Sequence, residues 1–235
     1  EALSFANCDL SGLDLSELEM EEIDFSGANL TETIFNGANL TSCIFQKANF
    51  TEATLHGTLL SLVDLTSADL SRTDFNGADL SSAILTETKL DKTIFTDCNL
   101  SESNLSKLDL RDVELDGADL RKANLTGSDL RKMDLSGMNL SKAMFVRANL
   151  TGTRLVECDL NRANMKGANM ASADMTDAKL SVGVYYEANL ENAIMVRARM
   201  KGANLTAVRL NQAKMNRADL TGADFTDAKL CETDM

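Results

Sequence analysis

The sequence has 235 residues, no proline and no tryptophan. Proline has no backbone N–H to donate, so its absence fits a chain in which neighbouring segments pair along the whole length. No apolar run approaches the roughly 18 residues that a membrane-spanning helix needs. The first residues do not form a basic and apolar secretion signal. We therefore expect no membrane partner.

Histidine is almost absent as well, and the single His56 limits the chemistry that the chain can perform. A Ser-His-Asp triad, a Cys-His pair or a histidine-based metal site cannot be built around an exposed corner residue of this kind. The stretch Asp112–Gly117 is similar to the start of an EF-hand loop, but Ala123 stands where that loop needs a bidentate Glu. We predict no catalytic residue, no cofactor, no metal site and no small-molecule substrate, and hence no enzyme.

The five cysteines form no CxxC pair and match no zinc-binding spacing. Four of them lie two residues before a multiple of five, a position otherwise held mostly by Ala or Thr: Cys8, Cys43, Cys98 and Cys158. We interpret these four as small buried apolar side chains. Unpaired buried thiols fit a reducing compartment, so the expected location is the cytoplasm.

Charge is spread unevenly along the chain, whose formal net charge is −13. Residues 1–120 carry 23 acidic and 6 basic side chains, a balance of −17. Residues 121–235 carry 13 acidic and 17 basic side chains, a balance of +4. Charge of this kind bears on solubility and on partners rather than on the fold.

A strict period of five residues is the dominant feature of the sequence. Every fifth residue from Phe5 to Met235 is Leu, Phe or Met, with Tyr185 as the one exception. The residue two before this central position is small or apolar, the residue directly before it is usually Asp or Asn, and the two after it are mostly polar or Gly. An α-helix turns about 500° in five residues, so this period would not form a stripe on a helix.

Short extended segments joined by bends account for the period. In an extended segment the central residue and the residue two before it point to the same side. The two residues after the central position then turn a corner. Twelve of the 13 glycines stand at the second corner position, where a type II turn requires a positive φ, and only Gly183 does not.

These pentads resemble the pentapeptide-repeat family over all 235 residues. The resemblance implies an all-β fold, a right-handed quadrilateral parallel β-helix (solenoid) with four pentapeptides per coil and no inserted loops. At twenty residues per coil the chain would form about 12 coils. We expect residues 1–235 to form one uninterrupted domain, either complete or a fragment of a longer chain.

Two predictions about the interior follow from this register. Residues twenty apart should stack, so Phe5, Phe25 and Phe45 should form one column. Tyr185 should point inward together with Gly183, whose missing side chain would compensate for the volume of the ring. The Tyr185 hydroxyl should then have a hydrogen-bond partner near the wall.

Outward positions with apolar residues are the candidate contact sites. On the register, eight such residues fall on one wall: Ile44, Leu62, Ile84, Met144, Val146, Val182, Val184 and Tyr186. Five others fall on the opposite wall: Ile34, Ile94, Val156, Ile194 and Val196. Exposed apolar residues that share a wall indicate a protein-binding surface, although isolated Ile and Val also simply favour extended backbone.

A basic column is the second surface feature. Lys122, Lys142 and Arg162 are twenty residues apart and should stack at neighbouring coils. Nucleic-acid binding by this column has little support, because aromatic residues do not alternate with these bases and the overall charge is negative.

Two functions remain open on the sequence alone. The first is a non-catalytic, rod-like protein–protein interaction scaffold with an unidentified protein partner, and the resemblance includes bacterial effectors that are secreted into a host cell. The second is similar to the quinolone-resistance type, in which an acidic β-helix mimics DNA and binds DNA gyrase or another DNA-binding protein. Both ends of the sequence stop in mid-pattern, which predicts flanking segments or end-to-end association between copies.

Overall fold

The computed structural model describes residues 3–235, and this part of the chain contains no helix. Each pentad supplies one bridge residue, directly before the central residue, and a two-residue turn directly after it. The bridges are parallel and join residues twenty apart, beginning with Ser4 and Asp24 and ending with Lys214 and Asp234. The strands are therefore one bridge residue long. The predicted fold class, a right-handed quadrilateral parallel β-helix with four pentapeptides per coil, is confirmed.

The chain divides into two compact units, which we call unit 1 (Glu1–Asp119) and unit 2 (Leu120–Met235). Both units are built from the same pentads and the same twenty-residue bridges. The expectation that residues 1–235 form a single uninterrupted domain remains a prediction.

Backbone hydrogen bonds between coils repeat with each pentad. In unit 1, the N–H of Phe25 donates to the Ile44 carbonyl at 2.8 Å, and the N–H of Gly27 donates to the Gln46 carbonyl at 2.8 Å. The N–H of Ala28 instead donates to the Phe25 carbonyl at 3.0 Å and closes the corner. Backbone polar groups are thus satisfied by the next coil or by the turn, as a buried backbone requires.

The corners are the type II turns that the glycine positions predicted. The twelve glycines at the second corner position have φ between 62° and 75°. The other residues at this position also have positive φ, between 54° and 63°, with Asp112 as the exception among the described corners. A left-handed backbone costs roughly 1–2 kcal/mol for a residue with a side chain, so many corners store local strain.

The interior is lined by the central residues and by the residues two before them, nearly all of which are buried. The predicted phenylalanine column is confirmed in unit 1. The Phe5 and Phe25 ring centroids are 5.4 Å apart, and those of Phe25 and Phe45 are 4.9 Å apart with an interplanar angle of 12°. The register read from the sequence is therefore correct.

Tyr185 lies fully buried in the interior of unit 2. A Cβ added to Gly183 would lie 2.6 Å from Tyr185 Cε2 and 2.8 Å from the hydroxyl oxygen, so the predicted volume compensation is present. The predicted hydrogen-bond partner is wrong, because the Tyr185 hydroxyl has none among the described residues. The surrounding interior is apolar, and this burial raises the pKa of Tyr185 far above its usual value.

Three cysteines take the inward position as predicted. Cys43, Cys98 and Cys158 are buried, and each Sγ donates to a carbonyl of the preceding coil, at 2.7 Å for Cys98 to Phe75. Burial raises the pKa of Cys98 to about 12, so its thiol stays protonated at neutral pH. The prediction is wrong for Cys8, which is exposed because it lies in the first described coil and has no described coil before it to cover it.

A cleft of 260 Å³ opens on the surface of unit 1, lined by Thr88, Lys89, Leu90, Asp91, Asp109 and Asp112. Leu108, which directly precedes Asp109 in this lining, occupies an inward position usually held by Ala and is buried.

Candidate contact wall

The apolar wall comprises the eight outward apolar residues singled out in the sequence, three in unit 1 and five in unit 2. In unit 1 they are Ile44, Leu62 and Ile84, and all three are exposed. In unit 2 they are Met144, Val146, Val182, Val184 and Tyr186. Of these five, Val146 and Tyr186 are half-buried and the other three are exposed.

In unit 1, the wall is held together by two bridges to one aspartate. Asp64 pairs with Ile44 in the coil before it and with Ile84 in the coil after it. Burial alone would raise the pKa of Asp64. Hydrogen bonds from Thr66 and from the Gln46 amide, at 2.6 Å, outweigh burial and lower it. The apolar residues of unit 1 thus surround a carboxylate that stays ionised.

In unit 2, the wall has an asparagine and a lysine at its centre. Asn164 forms bridges with Met144 on one side and with Val184 on the other. Lys166 holds its ammonium 5.2 Å from the centroid of the Tyr186 ring, a cation–π contact. The pKa of Tyr186 is raised, chiefly by a hydrogen bond to the Glu187 carboxylate.

Two residues of the apolar wall occupy strained corners. Leu62 has φ of 62° and Val182 has φ of 58°. Their side chains are also the most exposed of the wall, at 62% and 59%. A β-branched residue such as Val182 is a conformational outlier in the left-handed region. Neither Leu62 nor Val182 gains stability from burial of its side chain.

The apolar residues of the opposite wall differ in exposure. Ile34, Ile94, Val156, Ile194 and Val196 are all half-buried. They fit the simpler explanation that β-branched residues favour extended backbone. The apolar wall is therefore the more accessible of the two.

Leu59 is an exposed apolar residue that the sequence reasoning missed. It is 47% exposed and forms a bridge with Asn39 on one side and Asp79 on the other. It lies on a different wall from the eight residues above. The signal was present, because Leu59 directly precedes a central residue, where Asp or Asn is usual.

Most outward aspartates cap the corner that follows them. The Asp24 carboxylate accepts the N–H of Ser26 at 2.8 Å, and Asp224 accepts the N–H and the hydroxyl of Thr226 at 2.9 and 2.6 Å. Hydrogen bonds from the Ser26 and Thr226 side chains and backbone lower the pKa of both carboxyl groups. The Asp and Asn residues of the repeat therefore stabilise the turns that follow them.

The remaining sequence candidates are placed as follows. His56 is half exposed, with Nε2 2.8 Å from Asp74 Oδ2. No group of three or more His, Cys, Asp or Glu within residues 3–235 is arranged to hold a metal ion. In the basic column, the backbone of Lys122 pairs with Ser141 and that of Lys142 with Asn161, which places the three bases at successive corners of unit 2.

Among residues 3–235 there is no helix with the length and apolar character needed to cross a membrane.

Two family models match the chain. The model for a pentapeptide repeat region matches residues 68–145. The model for pentapeptide repeats (8 copies) matches residues 8–47, 23–61, 143–181, 186–222 and 198–235, which together cover more than half of the chain. No match was found among curated protein sequences.

Several solved structures are similar to the chain. HetL is a pentapeptide-repeat protein involved in heterocyst differentiation regulation from the cyanobacterium Nostoc sp. strain PCC 7120. It is 27% identical with a TM-score of 0.46, over 95% of this chain and 87% of that one. Rfr23 from the cyanobacterium Cyanothece 51142 is 21% identical with a TM-score of 0.41, over 51% and 89%. QnrB1, a plasmid-mediated fluoroquinolone resistance protein, is 18% identical with a TM-score of 0.36, over 97% and 88%.

Proposed function

Since the chain belongs to the pentapeptide-repeat family, whose members are generally structural or interaction scaffolds, we propose that it is a non-catalytic scaffold that binds another protein through the apolar wall. The observation that carries this proposal is the exposure of apolar side chains on the wall. Leu62 and Val182 are 62% and 59% exposed, at a corner position that is polar, charged or Gly in most other pentads. Contact with a partner would bury them, and exposed apolar surface of this kind marks interaction sites.

The test replaces apolar wall residues by Asp and measures recovery of bound proteins from a lysate by quantitative mass spectrometry. A variant with Ile44, Ile84, Met144 and Val184 changed to Asp should lose its partner. A control variant with Ile34, Ile94, Val156 and Ile194 changed to Asp should retain it. Equal recovery with both variants would refute the proposal.

A second pair of variants separates binding from folding. Leu62→Gly and Val182→Gly remove the exposed side chains and also relieve the left-handed strain, so they should raise the free energy of unfolding by about 1 kcal/mol each. Binding should nevertheless weaken. A stabilised variant that binds as well as the original chain would show that these corners are not contacts.

Mimicry of DNA is the second candidate function, and the charge of unit 1 favours it. Residues 1–119 carry 23 acidic and 6 basic side chains, which suits a partner that binds a polyanion. A gyrase supercoiling assay with the full chain tests this function, with Glu17, Glu21 and Glu22 changed to Gln as the matched variant. If supercoiling is unaffected at micromolar protein, DNA mimicry is excluded.

The free buried thiols of Cys43, Cys98 and Cys158 support a reducing compartment as the place of action. We propose the cytoplasm of the producing cell or, for a secreted effector, that of a host cell.

A further inference from the structure

In unit 2 the apolar wall continues into basic side chains. Its three central segments are Lys142–Arg147, Arg162–Gly167 and Val182–Glu187. They contain four bases, Lys142, Arg147, Arg162 and Lys166, and one acid, Glu187. The wall therefore combines aliphatic side chains with a local excess of positive charge.

The bases of unit 2 fall into two groups, those that pair with a carboxylate and those that do not. Arg154 pairs with Asp134 at 3.2 Å and Lys179 pairs with Asp159 at 3.9 Å. Within the described residues, none of the four bases of the wall forms an ion pair. The next wall offers them no counter-charge, because it presents Asn149, Asn169 and Asn189.

The register alternates the two kinds of side chain. Lys166 lies one coil from Val146 and one coil from Tyr186. Lys142 and Arg162 lie at the corners that precede Met144 and Asn164, and the next corner of that column is Val182. Coils are about 4.8 Å apart, so an apolar group and a positive group are always within one side-chain length of each other.

From this arrangement we propose that the unit 2 part of the apolar wall binds an acidic segment of a partner protein, with apolar side chains between its carboxylates. The proposal rests on the proposed scaffold function and adds the chemistry of the partner. Carboxylates of the segment pair with Lys142, Arg162 and Lys166, and its apolar side chains cover Met144, Val182 and Val184. Complementary charge also steers such a segment to this wall.

Other anionic partners fit the wall less well. Phosphates of a nucleic acid would pair with the bases but would leave Met144, Val146, Val182 and Val184 facing a polar backbone. A lipid surface would be met first by the longer Lys and Arg side chains, since the aliphatic groups are mostly short valines. The acidic segment is the occupant that uses both kinds of side chain.

The test selects peptides from a random 12-residue library on the immobilised full chain. The Kd of the enriched peptides is then measured by fluorescence anisotropy. A variant with Lys142, Arg162 and Lys166 changed to Glu tests the wall. A matched control has Lys214, Arg217 and Lys229 changed to Glu, which alters net charge equally on exposed side chains elsewhere in unit 2. A 20-nucleotide single-stranded DNA and phosphatidylserine vesicles are measured in parallel.

We expect enriched peptides to be acidic and apolar, and their Kd to rise at least tenfold in the wall variant and less than threefold in the control. Peptides that bind both variants equally would overturn the proposal. So would DNA or vesicles that bind while no peptide is enriched. Neutral apolar peptides that are lost with Val182→Asp and Val184→Asp but not with the charge reversal would refute the acidic partner and leave the scaffold function standing.

Discussion

The apolar wall occurs in both units on the same backbone, but its electrostatic surroundings are opposite. In unit 1, Ile44 and Ile84 flank the ionised Asp64, whereas in unit 2 Met144 and Val184 flank Asn164 with Lys166 beside it. The difference has no visible effect on the coils, because the bridges have the same twenty-residue offset in both. The charge and polarity of outward positions in this fold can therefore change without changing the coils.

The interiors of the two units differ as well. Unit 1 stacks phenylalanines, including Phe75 and Phe95 at 5.1 Å, whereas the twelve equivalent positions of unit 2 hold five methionines, four leucines, two phenylalanines and Tyr185. Aromatic rings interlock with defined geometry, while methionine fills irregular space and tolerates substitution. The same ladder thus encloses a rigid interior in one unit and an adaptable one in the other.

The largest expected effect comes from the aromatic interior. Phe45 contacts Phe25 at 4.9 Å and Phe50 at 5.0 Å, so Phe45→Ala should lower the free energy of unfolding by about 3–5 kcal/mol. Urea unfolding measures the loss, and amide hydrogen exchange shows whether it is confined to unit 1.

Leucine substitutions in both units provide the control for this comparison. Met175→Leu conserves volume and should cost less than about 1.5 kcal/mol. Phe45→Leu should cost more, because each lost ring pair contributes roughly 0.5–1.5 kcal/mol beyond buried area. Equal costs would contradict the distinction between a rigid and an adaptable interior.

The next effect concerns the close packing of Gly183 against the Tyr185 ring in unit 2. Gly183→Ala should destabilise by about 1–3 kcal/mol, because its Cβ would lie 2.6 Å from the Tyr185 ring. Combining it with Tyr185→Leu should recover most of the loss in a double-mutant cycle. Gly137→Ala is the matched corner variant: its Cβ meets nothing within 4 Å, so Tyr185→Leu should not rescue it.

Tyr185→Phe should have a smaller effect of opposite sign. The substitution removes a buried hydroxyl without a partner among the described residues, so it should raise the free energy of unfolding by about 1 kcal/mol. Thermal and urea unfolding both measure the gain. A loss of stability would mean that the hydroxyl has a partner in solution.

The smallest effect is a difference between the units in acid. Turn hydrogen bonds hold the pKa of Asp24 in unit 1 and of Asp224 in unit 2 below 3.8. A lowered folded-state pKa adds stability that is complete above the unfolded value, near 3.9, and is lost as pH falls through the folded value. Stability should therefore decline below about pH 4.

Acid should affect unit 2 first. Protonation relieves negative charge in unit 1 but adds to the positive balance of residues 121–235. Amide hydrogen exchange measures which unit opens first. It is followed from about pH 5 to about pH 3, the range in which carboxyl groups titrate. Asp24→Asn and Asp224→Asn should flatten the response of their own unit, and earlier opening of unit 1 would contradict the prediction.

The sequence predicted the repeating part of this structure well and its irregular places poorly. The Phe5, Phe25 and Phe45 column and the pairing of Tyr185 with Gly183 followed from the period alone, because every coil repeats the same register. The exposed Cys8, the Tyr185 hydroxyl without a partner among the described residues, and the cleft beside Lys89 depend on how neighbouring coils pack locally. A period of five contains no information about such packing.

The candidate site was only partly predictable for the same reason. The register placed Ile44 and Ile84 on one wall of unit 1 and Ile34 and Ile94 on the opposite wall. It did not show which of the two walls is more exposed. Only the structure distinguishes their exposure. Leu59 is a different case, because the register alone places it at an outward position, yet it was not among the predicted contact residues.

The twenty-residue offset of the bridges also constrains how such a gene can change length. Duplicating or deleting twenty residues adds or removes a whole coil and leaves every later side chain on its original wall. Gaining or losing a single pentad keeps the hydrophobic period but rotates everything downstream by a quarter turn, so Val182 and Lys166 would move to another face. Recombination in whole coils thus preserves the set of side chains on each wall, whereas recombination in pentads redistributes them.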